Sequence, residues 1–121
     1  MLEKLLNLIC QKKPIETRMN KYSYAFVRED LPNIVKLVQT GHACMEIGFI
    51  TRLPQKETFL IVLSVKNQKA LIKISEKLER QKIKNHMFFE PDFDYGYTAL
   101  CTEPVEYGKH KIFEKYNLLE I

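Results

Sequence analysis

Hydrophobic and polar positions change their period along the chain, and each period predicts one element of secondary structure. Residues Tyr22 to Val27 are rich in aromatic and β-branched side chains without Gly or Pro, which predicts a buried strand. The segment 58–65, TFLIVLSV, is almost continuously apolar, as is typical of a central strand covered on both faces. Between them, apolar residues from Leu31 to Ile47 recur at helical spacing, with Asp30 as the expected N-cap and Gly48 as the expected C-cap.

The second half of the chain continues this alternation. Asn67 is expected to open a helix over Gln68 to Gln81, in which an apolar stripe faces the sheet and a basic stripe faces solvent. That basic stripe consists of Lys69, Lys73, Lys77 and Arg80. Two short strands are predicted at 86–89 and 97–102, joined by the loop 90–96, and a last helix at 109–116.

The order of these elements predicts an α/β fold in a single domain: three α/β/α layers around a mixed four-stranded sheet. Residues 21–121 form this predicted domain. Residues 1–20 are expected to be an N-terminal helical extension, because its apolar residues recur at i, i+3 and i+4. These residues are Leu2, Leu5, Leu6, Ile9 and Cys10.

Composition narrows the function classes only slightly. A chain of 121 residues with 45% hydrophobic and 28% charged residues is typical of a globular domain. The net charge of +4 makes an anionic partner plausible. The three cysteines form no CxxC or Cys/His spacing, so no metal is expected and the thiols are predicted to be reduced. No apolar run is long enough to cross a bilayer, so no membrane partner and a cytoplasmic location are expected.

Candidate chemistry lies where the first strand meets its helix. Loops at the carboxyl ends of strands are where open α/β sheets hold ligands, which singles out Arg28 and its acidic neighbours. On the helix, positions 35, 39, 42 and 46 share one face, so Gln39 and His42 lie on one polar stripe. His42 is either a core-edge histidine bonded to a carbonyl or paired with Glu46, or a general base or donor. The stripe at 34, 38, 41 and 45 is expected to face the core, with Gly41 close to the sheet.

Two segments around this junction resemble the type II peptidyl-tRNA hydrolases. FVREDL at 26–31 and QTGHA at 39–43 are similar to that family's R-x-D-L strand end and its Q-x-x-H-A helix. The resemblance continues through TFLIVLSV and TALCTEP at 98–104, and it covers roughly residues 22–105. The chain departs from the family pattern at Val35, where the family has a lysine, although Lys36 is adjacent. The family's D-A-G-x-T loop is replaced by a contracted form at 90–98.

The resemblance implies hydrolysis of the ester that joins a peptidyl group to the tRNA 3′ end, without a cofactor or a metal. Asp30 or Asp92 would orient or deprotonate water, and His42 would donate a proton or position the substrate. Gln39 and Thr98 would donate hydrogen bonds to the developing oxyanion. The catalytic set that the resemblance implies is therefore Asp30, Gln39, His42, Asp92 and Thr98, and the substrate-binding set is Arg28 and Lys36.

Two other functions remain open from the sequence. The first is a non-catalytic module that binds the tRNA end or another protein on the same scaffold. The second is an interaction domain that forms a homodimer through the predicted helix Leu2 to Cys10. Turnover of peptidyl-tRNA separates both of these from the hydrolase hypothesis.

Overall fold

The computed structural model describes residues 22–51 and 58–121. The predicted N-terminal extension, including its helix at 2–10, lies outside the described residues. The predicted single-domain α/β fold with a mixed four-stranded sheet is confirmed. The elements are β1 (Tyr22–Arg28), α1 (Asn33–Ile50), β2 (Phe59–Val65), α2 (Gln68–Arg80), β3 (Asn85–Glu90) and β4 (Gly96–Thr102), with 3₁₀ turns at Asp92–Asp94 and Tyr107–Phe113.

The sheet has the strand order β2-β1-β4-β3, with β1 parallel to β2 and β4 antiparallel to both of its neighbours. Alternate residues of β1 pack on opposite faces of the sheet. Tyr24 and Phe26 join the core under α2, whereas Ala25 and Val27 join a smaller cluster with Ala43 of α1. The two helices therefore cover opposite faces of the sheet, as the three-layer prediction requires.

The predicted core-facing side of α1 is wrong. Ile34, Val38 and Met45 are 67%, 47% and 60% exposed. The buried residues of this helix are Lys36, Gln39, Thr40, Ala43 and Ile47. Polar side chains can face the sheet here because they have partners: the Thr40 hydroxyl donates to the carbonyl of Lys36, and Gln39 accepts a hydrogen bond from β4.

The predicted ends and glycine roles of α1 are also wrong. A Cβ at Gly41 would meet nothing within 4 Å, so this glycine does not serve a close approach to the sheet. Gly48 lies inside the helix, which ends at Ile50 with the Thr51 N–H donating to the Ile47 carbonyl at 3.0 Å. Pro32 rather than Asp30 occupies the N-cap position, because the Asp30 carboxylate is bound to an arginine. The prediction of Asn67 as the N-cap of α2 is confirmed.

The C-terminal segment fills the core beneath α2 as a 3₁₀ turn, Tyr107–Phe113, where a helix at 109–116 was predicted. The Phe113 ring stacks on Tyr24 with centroids 3.7 Å apart. His110 is buried, and its Nδ1 lies 3.0 Å from the Tyr24 hydroxyl. Its Nε2 has no hydrogen-bond partner among the described residues. Burial lowers the pKa of His110 below its ordinary value of 6.5.

This burial predicts a pH-dependent stability. In the unfolded chain, His110 binds a proton near pH 6.5, whereas in the folded protein it binds one only at lower pH. The neutral, buried His110 therefore contributes to the free energy of unfolding above pH 6.5, and this contribution is lost as the pH falls below that value. His110→Phe should remove this contribution. When the pH is lowered from about 7.5 to about 5, the melting temperature should therefore fall less in the variant than in the wild type. Equal losses in the two proteins would contradict the prediction.

Candidate active site at the carboxyl end of strand β1

The carboxyl ends of β1 and β2 form a crevice. These strands are parallel neighbours, and the helices that follow them lie on opposite faces of the sheet. That arrangement opens a space between the two connections, where α/β proteins hold their ligands. A cavity of about 610 Å³ lies here. Its walls include Glu29, Lys36, Ser64, Tyr116 and Asn117.

Arg28 is the last residue of β1, and it binds Asp30 through two parallel hydrogen bonds. The Nε–Oδ1 distance is 2.8 Å and the Nη2–Oδ2 distance is 3.0 Å. The hydrogen bonds from Arg28 are the main cause that holds the pKa of the Asp30 carboxyl below its ordinary value. Asp30 is therefore ionised at neutral pH and is a weak proton acceptor. Its geometry suits it to orienting the guanidinium group.

The remaining nitrogen of Arg28 binds the N-terminal end of β4, residues 95–97, which we call the strand entrance. Nη1 donates to the carbonyl oxygen of Tyr95 and, at 3.1 Å, to that of Tyr97. The sheet is irregular at this point, because Phe88 faces Ala99 while Phe89 faces Tyr97. Thr98 is thus the extra residue of a β-bulge, and a bulge turns a side chain away from its regular alternation.

The bulge brings two predicted site residues into contact. Thr98 Oγ1 donates to Gln39 Oε1 across the interface between β4 and α1, at 2.7 Å. Both side chains are buried, Thr98 completely. The bond fixes the orientation of the Gln39 amide, since its oxygen faces Thr98. The Gln39 N–H groups are then directed away from this bond.

Gly96 and Gln68 support the same entrance, and the sequence analysis assigned them no role. Gln68 Oε1 accepts a hydrogen bond from the Tyr97 N–H at 2.7 Å. Gly96 has a φ of +72°, and a Cβ there would lie 2.2 Å from Gln68 Oε1. Only glycine fits this position without displacing the Gln68 side chain. In the sequence, the signal for this role of Gly96 is its position directly before the predicted strand 97–102.

Lys36 lies on the sheet-facing side of α1, whereas Val35 is only half-buried. Its ammonium group is 3.3 Å from Asn33 Oδ1, and its side chain lines the cavity. Its positive charge adds to the effect that lowers the pKa of Asp30. Lys36, which is adjacent to the position where the family has a lysine and this chain has Val35, therefore faces the crevice.

His42 is exposed and lies toward the edge strand β3. Its ring stacks on Phe88 with centroids 4.6 Å apart and planes 10° apart. Glu46 binds His86, with Oε1 2.5 Å from Nε2, so the interpretation that Glu46 pairs with His42 is wrong. Within the described part of the chain, no hydrogen bond joins His42 to Gln39, Thr98 or Asp30.

Asp92 is the first residue of the exposed 3₁₀ turn that leads into β4. The Tyr95 N–H donates to its carbonyl at 3.1 Å. The next two residues, Phe93 and Asp94, adopt left-handed backbone conformations with φ of 57° and 55°. Such conformations cost about 1–3 kcal/mol each in non-glycine residues, so the contacts that hold the strand entrance also sustain a strained turn.

Glu29 and Ser64 are cavity residues that the sequence analysis did not assign. The Ser64 hydroxyl donates to Glu29 Oε1 at 2.8 Å, and the Glu29 N–H donates to the Val65 carbonyl at 2.7 Å. These bonds join the ends of the two parallel strands. In the sequence, the signal for this contact is a hydroxyl residue, Ser64, near the end of the apolar run TFLIVLSV.

The described part of the chain holds a pair of neighbouring thiols but no cluster of metal-binding side chains. Residues 22–51 and 58–121 contain no group of three or more His, Cys, Asp or Glu side chains that could hold a metal ion. Cys44 and Cys101 are free thiols with their Sγ atoms 3.5 Å apart between α1 and β4. No helix among the described residues is long and apolar enough to span a membrane.

Replacing Gly96 by alanine tests the strand entrance. The new Cβ meets Gln68 Oε1, and the alanine backbone must adopt a positive φ. We therefore expect a loss of about 1–3 kcal/mol in the free energy of unfolding. Gly41→Ala is the matched control, because its Cβ enters open space in the middle of a helix. This change should raise the free energy of unfolding by up to about 1 kcal/mol. Denaturant titration measures both. Equal effects of the two substitutions would show that Gly96 has no special role.

Comparisons with known proteins identify the fold alone. No protein-family profile matches the chain, and no curated protein sequence matches it. Among solved structures, the chain is similar to Atu0240 from Agrobacterium tumefaciens, a protein of unknown function. The TM-score is 0.60 at 17% sequence identity, over 82% of this chain and 97% of that one. At this identity the similarity supports the α/β architecture and carries no information on activity.

Proposed function

We propose that this protein hydrolyses the ester bond of peptidyl-tRNA. The observation that carries the proposal is the 2.7 Å hydrogen bond between Thr98 and Gln39. These residues are 59 positions apart, and both belong to segments that resemble the type II peptidyl-tRNA hydrolases. A bulge that turns a buried hydroxyl toward a helix amide is a feature common near active sites.

The Gln39 amide supplies the neutral hydrogen-bond donors for ester hydrolysis, whereas the Thr98 hydroxyl, expected to donate to the oxyanion, donates to Gln39 instead. Negative charge develops on the ester carbonyl oxygen when water attacks, and preorganised donors stabilise it. With its oxygen held by Thr98, the Gln39 amide directs its N–H groups to that charge. Neutral donors need no change of protonation state during the reaction.

The charged residues take roles that fit their surroundings. Asp30 is bound by Arg28 and keeps the strand entrance in place, so in this proposal Asp92 is the carboxylate that orients water. His42 has an exposed ring, and it donates the proton to the leaving oxygen. Lys36 faces the crevice in place of the family lysine and binds the substrate.

Single-turnover release of a peptidyl group from tRNA tests the proposal. Thr98→Val keeps the shape of the side chain but frees the Gln39 amide, and we expect the rate to fall by about 10²–10³-fold. His42→Ala should reduce the rate by about 10²–10⁴-fold with little change in melting temperature, because the ring is exposed.

Thr40→Val is the matched control for Thr98→Val. Its hydroxyl donates to the carbonyl of Lys36 within the same helix, so its removal should leave the rate within about threefold of wild type. A wild-type protein that releases no peptidyl group would end the hydrolase proposal. So would equal rates for Thr98→Val and Thr40→Val.

A second candidate function, self-association, is favoured by the outward face of α1. Ile34, Val38, Gly41 and Met45 follow one another there at intervals of four, three and four residues. This 4-3-4 spacing is typical of the contact stripe between two helices. Lys36 is buried and the carboxylate of Glu46 is paired with His86, so the stripe itself consists of uncharged residues.

Sedimentation velocity measures this association. The wild type should sediment as a concentration-dependent dimer, and Val38→Glu should shift it to the monomer, because one charge would be buried in each half of the interface. Lys82→Glu, an exposed change outside α1, should leave the equilibrium unaltered. A monomeric wild type at all concentrations would exclude the dimer.

A further inference from the structure

The outward side of α2 and the C-terminal segment carry basic residues without acidic partners. Lys73 and Lys77 lie four positions apart on α2, where like charges repel. Lys66 precedes the helix, and Lys115 approaches it from the C-terminal segment. Within residues 22–51 and 58–121, none of these four lysines forms a salt bridge. We call these four residues the basic cluster.

The centre of the cluster is the ring of Tyr116. The ammonium nitrogens of Lys77 and Lys115 lie 5.9 Å and 5.4 Å from its centroid. The ring in turn packs edge-on against Phe26 of the core, so its position is fixed. The neighbouring Lys115 ammonium group holds the pKa of Lys77 below its ordinary value. Two cations on one ring repel each other, and an anion between them would relieve that repulsion.

A cleft opens beside this ring, at the carboxyl end of β2. Its volume is about 570 Å³, which is in the range of sites for ligands of nucleotide size. Lys66, Lys73 and Lys115 line it, and Glu29 is the only carboxylate among the described residues of its lining. The three lysine charges outnumber the single carboxylate of Glu29, so the net charge of the cleft lining is positive.

The cleft is continuous with the candidate active site. Glu29, Ser64 and Tyr116 line both this cleft and the cavity that Lys36 faces. A strand held by the basic cluster would therefore lead toward the carboxyl end of β1. Lysines on flexible stems act as point charges for phosphates, and contacts to phosphates carry no base-sequence information.

We propose that the basic cluster of Lys66, Lys73, Lys77 and Lys115 binds the phosphodiester backbone of an RNA strand. The identification of that RNA as tRNA rests on the proposed function. Because the contacts are electrostatic, affinity should fall steeply with salt and should not depend on base sequence. The cluster positions the strand beside the cavity that Lys36 faces.

Fluorescence anisotropy with labelled, uncharged tRNA tests the inference. Lys73→Glu/Lys115→Glu should weaken affinity at least tenfold at low salt, and it should reduce the slope of log affinity against log salt by about 1–2. The control Lys82→Glu/Lys84→Glu makes the same charge change in the turn before β3, at the opposite end of α2. It should remain within about twofold of wild type.

Several outcomes would overturn the inference. Equal losses in the two double variants would mean that net charge alone drives binding. Unchanged tRNA affinity in Lys73→Glu/Lys115→Glu, with loss of binding to a poly-glutamate peptide, would assign the cluster to an acidic protein. If the double charge reversal lowers the melting temperature, Lys73→Gln/Lys115→Gln is measured instead, with the same expectation for the salt slope.

The assays separate this inference from the proposed function. A wild type that binds tRNA through the cluster but releases no peptidyl group would remove the hydrolase proposal and keep the RNA-binding surface. A wild type that hydrolyses peptidyl-tRNA, with KM unaltered by Lys73→Glu/Lys115→Glu, would keep the hydrolase and remove the surface.

Discussion

The hydrogen bonds of Arg28 to the entrance of β4 are the contact on which the rest of the structure depends. A bulge at Thr98 interrupts the regular pairing of β3 and β4. Arg28 binds the Tyr95 and Tyr97 carbonyls beside that bulge. A buried carbonyl without a partner costs about 1–3 kcal/mol, whereas a surface ion pair contributes about 0–1 kcal/mol. The two carbonyl bonds therefore matter more for stability than the bond to Asp30, which is 43% exposed.

The bulge in turn decides which side of α1 faces the sheet. Thr98 presents a buried hydroxyl to the helix, and a polar residue must meet it. Gln39 does so, and the side of α1 that faces the sheet consists of Lys36, Gln39, Thr40, Ala43 and Ile47. The small side chains of Ala25 and Ala99 leave room for this arrangement beneath α1. The consequence is an apolar stripe on the outside, which is available to a partner.

The two sides of the domain then differ in chemistry. Under α2, large aromatic and aliphatic residues form the main core, and the basic cluster lies on its outer edge. Under α1, a smaller hydrophobic cluster that includes Ala25, Ala43 and Ala99 is accompanied by the buried Gln39–Thr98 bond. The crevice at the end of β1 and β2 joins the two sides, because Glu29 and Ser64 link the ends of both strands.

The sequence by itself determined the four strands, the two long helices and their order, because apolar runs such as TFLIVLSV and caps such as Asn67 act over a few neighbouring residues. It also placed Gln39 and Thr98 in one predicted site, through resemblance. The face of α1, the partner of Glu46 and the charge environment of Lys77 were decided by the tertiary structure. Each depends on a side chain from a distant segment, such as Thr98 or Lys115, and helical period alone cannot state which polar group will meet a buried partner.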